Sequence, residues 1–480
     1  MPIWLLAVTV IAVIAGAGLA AYFSALAIPI VIGLVILLAA IILIFDKPWL
    51  GVLLVAFFLP FERIGGFDIV GQTTLKISQV FAAATIISWL FYYLLIKRRA
   101  FVVPKILWPV LAYIAIAAIS ILNAANTGRA VSVFLFTLFV MIFALIIPQV
   151  VFKTKHVRKI VFAILLAAVI VSLFGLYQFA GDVVGLPETI TGLRSHYTES
   201  VFGFPRIHST ASEPLYFANY LLIPIALAVM LFLLAKPKQA VSFWRSRSFY
   251  LIAIVLTVMA LVLTLSRGGY LGLIATAVML LILGWRYVWR AKNILIFVGI
   301  GAVVAIAAIA FINFSGNFSL DTFLGQATEL EQGAGIVERQ ETYDQAIDLF
   351  WQHPLTGIGI GNFGPEVAKY AHKMPESGWA IVNNEPLELL VETGILGAAA
   401  IASVIIIVIW QAIVALRQVR FLKDEKKRRL LYAILAGLLA AFIGIIVQYQ
   451  TFSTLYIMHV WFVIGLIIAM ISIIKLKTKP

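Results

Sequence analysis

The sequence predicts an all-α integral membrane protein, a polytopic bundle of about 12–14 transmembrane helices with a large, partly helical external loop. Three observations predict it. Apolar residues make up 63% of the 480 and charged residues only 12%, against soluble averages of about 45–50% and 25%. Apolar runs of spanning length recur along nearly the whole chain, and in hydrocarbon only a structure that satisfies its own backbone hydrogen bonds can cross. The basic residues fall almost entirely on alternate connections between those runs, as the positive-inside rule requires.

The runs place spans at about 3–23, 26–45, 50–61, 76–96, 104–122, 130–151, 159–180, 214–235, 249–265, 268–285, 294–313, 391–416, 430–448 and 456–474. The third is short enough to be a broken or partial helix. The first run passes almost directly into the second and has no small-residue cleavage site, so it reads as a retained span. An even number of spans puts both termini on one side. Basic clusters at 97–99, 153–159, 236–247, 286–292, 417–429 and 475–479 mark that side as cytoplasmic. On this topology 26 of the 35 basic residues are cytoplasmic and 18 of the 21 acids are external. The net charge of +14 is thus a topology signal, and no nucleic-acid surface is expected. Cysteine is absent, which excludes disulfides and thiolate metal sites.

The chain then divides into 1–313, spans with short loops and an external loop at about 181–213; 314–390, a large external loop; and 391–480, the C-terminal spans. A further external segment covers about 61–75. Long structured loops usually carry function. In the largest, Ile336, Tyr343, Ile347, Phe350 and Trp351 recur at helical spacing. Such a stripe can lie flat in the membrane interface or pack on the spans beneath it.

Nine basic residues are external, among them Arg63, Arg129, Arg194, Arg206, Arg267 and Arg339. Arginine suits planar, bidentate recognition of phosphate. Arg267, in Thr264-Leu265-Ser266-Arg267-Gly268-Gly269, sits near the outer end of a tight hairpin of two apolar runs. A guanidinium near hydrocarbon costs at least about 2.5–3.5 kcal/mol on insertion scales, so a functional reading outweighs snorkelling to the head groups. Arg206, His208 and Glu213 belong to a segment ending at Pro214, which reads as the first turn of a span with Ser212 or Glu213 as its cap. A partly desolvated carboxylate at that mouth would hold its proton more tightly, as a general base requires. Asn384 followed by Pro386 reads as another helix start, and Glu385, Glu388 and Glu392 follow at helical spacing. Gly359-x-Gly361-x-x-Gly364 fits a dinucleotide fingerprint only formally, because no strand precedes it. The sequons at Asn313 and Asn317 are weak, His353 reads as a turn residue, and no cluster has metal-ligand spacing.

Three segments resemble the O-antigen ligase and polymerase superfamily of membrane glycosyltransferases: Ser266-Arg267-Gly268-Gly269; Arg339 with Ala346 and His353 to Phe363; and Asn383 to Gly397. The resemblance implies transfer of a glycan from a polyprenyl diphosphate carrier to a sugar or glycolipid acceptor. It places that transfer at the extracytoplasmic face of the bacterial cytoplasmic membrane, with no metal, nucleotide or other cofactor. It implies diphosphate binding by Arg206 and Arg267, assisted by Arg339, with Asn384 and His208 also at the substrate. One position departs from the family. Asn383 stands at the catalytic position where the ligases typically carry a histidine that activates the acceptor, and an amide cannot take a proton. The base is therefore expected to be Glu213 first, Glu385 second and His208 third, and the departure favours a polymerase or another surface-glycan ligase. A transporter or flippase of a lipid-linked glycan is the rival class. Transporters often show internal repeats and midplane charges, whereas here no repeat is visible and the ionisable residues gather at the outer boundary.

Overall fold

A computed structural model describes residues 27–63, 67–69, 73–91, 101–198, 204–234, 246–289, 299, 334–367 and 379–478. The spans expected at 3–23 and, but for residue 299, 294–313, both sequons, and the basic clusters at 97–99, 236–245 and 290–292 lie outside those residues.

The other expected spans are helices. They are α1 (Ala27–Asp46), α2 (Trp49–Phe58), α3 (Ile77–Ser88), α4 (Leu107–Ser120), α5 (Thr127–Val150), α6 (Thr154–Val183), α7 (Pro214–Leu234), α8 (Arg247–Leu263), α9 (Arg267–Val288), α11 (Glu385–Val419), α12 (Glu425–Gln448) and α13 (Met458–Thr478), with α10 (Ala334–Gln352) in the largest loop. Seven of the described helices are long and apolar enough to cross a membrane, and the chain is an integral membrane protein. At ten residues, α2 is the partial helix its short apolar run predicts. The all-α expectation holds apart from a small antiparallel pairing of β1 (Phe67–Ile69) with β2 (Thr73–Leu75). The β-branched residues Ile69, Thr73 and Thr74 suit that pairing.

The core is built on α7, whose residues are almost all buried. It packs against α12, α8 and α9; α13 packs on α5 and α11, and α11 on α4. Small residues allow the closest approaches, as in membrane bundles generally. A Cβ at Gly269 would meet that of Ala218 at 2.6 Å, and one at Gly437 would meet the Ala226 carbonyl oxygen at 3.0 Å. The helix α10 packs over α11: Ala346 and Leu349 are buried in a small core with Ile358, Phe363, Val382 and Val391, with Tyr343 and Phe350 of the stripe against it, while Ile347 and Trp351 remain exposed.

Side-chain caps start the helices that matter for the site. Asn126 accepts the Arg129 amide, Ser266 the Gly269 amide, and Asn384 the Leu387 amide, each satisfying one orphan N–H of a first turn. The starts of α5, α7, α9 and α11 and the 449–457 turn meet at one end of the bundle. The basic connections after Val150 and after Val419 lie at the other.

Candidate active site

Two charged groups of residues occupy that end, joined by the turn between α12 and α13. On one side a Cβ at Gly268 would clash with the Thr451 side chain, so Arg267 is carried directly beside the turn. On the other, the Asn384 amide donates to Ser453 Oγ (3.0 Å) and the Glu385 amide to the Tyr449 carbonyl (2.9 Å).

The arginine side is woven from three loops. The Arg206 amide donates to the Tyr197 carbonyl (2.8 Å), its Nε donates to the Thr264 carbonyl (3.3 Å), and its guanidinium stacks 6.0 Å from the Tyr197 ring. Arg206 is thereby tied to Thr264, three positions before Arg267, which is exposed at the start of α9. Glu213 is the cap residue of α7, its carbonyl accepting the Phe217 amide (3.1 Å). Its half-buried carboxylate takes no hydrogen bond from the described residues. Burial pushes Glu213 up from the usual carboxylate range and Glu62 adds to this, while Arg194 and Arg206 oppose it. Glu62 itself is held down: burial raises it, but Lys76 at 3.2 Å and the Ser212 amide outweigh that.

His208 is wholly buried and both ring nitrogens are engaged. Nδ1 donates to the Ala211 carbonyl (3.1 Å), so Nε2 carries the lone pair and accepts from Arg63 Nη1 (3.3 Å). Burial, with Arg63 and Arg194 nearby, lowers its pKa to about 4. The ring is a neutral support for Arg63.

The carboxylate side is saturated by comparison. Glu392 accepts the amides of Gly361 (2.7 Å) and Phe363 (3.2 Å), and Glu388 accepts the Val382 amide (2.9 Å). The 353–363 motif is a clasp. Ile358 and Gly359 donate to the Val391 and Glu392 carbonyls, Arg129 Nε donates to the Gly361 carbonyl (2.6 Å), and Asn362 Oδ1 accepts the Asn126 amide (2.7 Å). Gly357 and Gly394, at φ 74° and 67°, bring the clasp backbone against the kink of α11 where no Cβ fits. His353 is a turn residue, as its sequence context suggests. Glu385 differs from its two neighbours: it is 5% exposed and its Oε2 has no partner among the described residues. It lines the end of an apolar cavity of about 380 Å³ between α11, α12 and α13.

The three non-glycine residues with left-handed backbone among those described are Ser209, Leu265 and Asn383. All three lie in the segments that build this end. Strain of this kind persists where surrounding structure enforces it and clusters at functional sites.

The structure thus brings Arg206, Arg267, Glu213 and His208 together, and places Asn383, Asn384 and Glu385 across the 449–457 turn. Asn384 spends its Oδ1 on the helix cap. Arg339 is exposed on α10, and no bond among the described residues ties it to Arg206 or Arg267. Arg63, Arg194 and Tyr197 were given no role by motif or spacing. Their signal was only that they are external.

A polytopic helical membrane protein with an arginine-rich site at one end is the class this architecture defines. Residues 252–402, from α8 into α11, match the family model for O-antigen ligase, and this part of the chain is similar to that family. The match takes in Arg267, Arg339, the clasp and Asn383 to Gly397, and ends short of Arg206 and Glu213. No curated protein matches the chain.

Proposed function

We propose that this enzyme transfers a glycan from a polyprenyl diphosphate carrier to an acceptor hydroxyl at the outer face of the cytoplasmic membrane, both termini being cytoplasmic. Arg206 and Arg267 bind the diphosphate, and Glu213 is the general base. The observation that carries this reading is a half-buried carboxylate set beside guanidinium groups, with no hydrogen bond to the one and no carboxylate pairing the others among the described residues.

The chemistry follows from those groups. The acceptor oxygen attacks the anomeric carbon while its proton passes to the Glu213 carboxylate. The bond from that carbon to the diphosphate oxygen breaks, and inversion results. Negative charge grows on the leaving diphosphate, where preorganised cations stabilise the transition state more than the ground state. Holding Glu213 above the ordinary carboxylate range makes it a stronger base once ionised. Glu385 is the second candidate because its Oε2 is free. His208 is a positioning residue, since neither nitrogen is open to substrate.

Reconstitution of the full-length protein with a lipid-linked oligosaccharide, followed by product sizing, tests this. Glycan transfer is expected, with laddered products for a polymerase and a single added block for a ligase. Movement of intact donor across the bilayer without transfer overturns it.

A further inference from the structure

Beyond the pair proposed for the diphosphate, two more arginines, Arg63 and Arg194, stand at this end with no carboxylate partner among the described residues. Arg63 is held in place from several directions. Its amide donates to the Thr210 carbonyl (3.0 Å), and Nη1 contacts the Gly192 carbonyl (3.4 Å) and His208 Nε2 (3.3 Å). A buried neutral histidine whose tautomer is fixed to present a lone pair to an exposed guanidinium aims that guanidinium without neutralising it. The neighbouring acid, Glu62, is occupied by Lys76 and the Ser212 amide. Arg194 opens the short helical turn that ends at Tyr197, and its charge acts on Arg63, His208 and Glu213. The rings of His208 and Tyr197, 5.6 Å apart, stand between Arg63 and Arg206, which stacks on Tyr197. One diphosphate at Arg206 and Arg267 therefore leaves Arg63 unserved. Among the described residues none of these four guanidinium groups makes an ion pair with a carboxylate, and Glu62 beside them is taken by Lys76, a surplus of cation that calls for a second anion.

We infer that Arg63 and Arg194 form a second anion subsite beside the diphosphate pair, and that it takes an oxyanion on the glycan itself, a uronic carboxylate or a sugar phosphate. The inference rests on the glycan-transfer reading and adds the substrate class to it. The same chemistry could come from a lipid head group, and the test separates the two.

The full-length protein in nanodiscs is given two lipid-linked oligosaccharides matched except that one carries a uronic acid and the other its neutral counterpart. The wild type prefers the acidic donor. Because a hydrogen bond to a charged group contributes about 1.5–3 kcal/mol, Arg63→Ala lowers the preference, read as the ratio of kcat/KM values, by about tenfold or more. Arg194→Ala, whose side chain makes no hydrogen bond with the described residues, acts in the same direction without disturbing the loops. His208→Gln, whose amide oxygen can accept from Arg63, keeps most of the preference, and His208→Phe loses it. An unchanged ratio in both arginine variants, or no preference in the wild type, overturns the subsite. An effect that disappears when anionic lipids are removed assigns these arginines to head groups and also overturns it. If the wild type transfers neither donor, the glycan-transfer reading falls too; if it transfers both and ignores Arg63, only the subsite falls.

Discussion

The two charged groups at the site end of the bundle are neighbours across one turn and opposite in design. On the carboxylate side, Glu388 and Glu392 spend their oxygens on backbone amides, and Arg129 is bound to a carbonyl and lies 5.5 Å from the Trp379 ring. On the arginine side, Arg63, Arg194, Arg206 and Arg267 have no carboxylate pair among the described residues, and Glu213 no hydrogen bond. Saturated charges hold a fold together; unsaturated ones, kept partly out of water, are available to a substrate. On the proposed reading the 353–363 motif is structural and the loops around Arg206 carry the chemistry, although the motif is the more conspicuous in the sequence.

That contrast can be broken by substitution. Arg267→Ala is expected to cost about 100-fold or more in turnover, as removal of a preorganised transition-state donor does elsewhere, with expression and membrane insertion near normal. Activity retained in that variant would move Arg267 out of the site. Glu213→Gln should lower kcat by about 100-fold, the scale of general-base catalysis, with donor KM largely kept. In the wild type the acid limb of the rate follows protonation of Glu213. Because its pKa is raised, activity should fall at a higher pH than an ordinary carboxylate would give, and the limb should vanish in Glu213→Gln. If Glu213→Gln turns over normally and Glu385→Gln does not, the base lies on the other side of the turn.

A saturated carboxylate should fail differently. Glu392→Leu leaves the Gly361 and Phe363 amides buried without partners, at about 1–3 kcal/mol each. Thermal stability should drop in proportion to activity, whereas a loss of activity at full stability would give Glu392 a chemical role. The smallest effect is expected at Arg339, exposed on α10: Arg339→Ala should change stability by less than about 0.5 kcal/mol and rate less than either Arg206→Ala or Arg267→Ala.

Most of the architecture was legible because spans are set by hydrophobic length. The start of α7 at Pro214 and of α11 after Asn384 followed from proline and cap chemistry alone. The candidate site was legible in part: Arg267 stood out in the sequence as a cation in an apolar hairpin, and Glu213 as an acid at a helix mouth. Arg63 and Arg194 did not, because they lie in loops far apart in sequence and only tertiary packing through His208 and Tyr197 brings them to Arg206. Glu385, Glu388 and Glu392 looked equivalent by spacing. What separates them is which backbone amides the folded clasp delivers to each, and no periodicity encodes that. The partners of His208 were hidden for the same reason: only the fold brings Arg63 and the Ala211 carbonyl to its two nitrogens.

The account depends most on Arg206 and Arg267 acting together on a lipid diphosphate. Equilibrium binding of polyprenyl diphosphate and polyprenyl monophosphate to the full-length protein in nanodiscs, wild type against the Arg206→Ala/Arg267→Ala double variant, tests this directly. The wild type should bind the diphosphate more tightly, and the double variant should lose about 100-fold or more, as two charge-assisted contacts imply. Equal affinity of wild type and double variant for the diphosphate would contradict it.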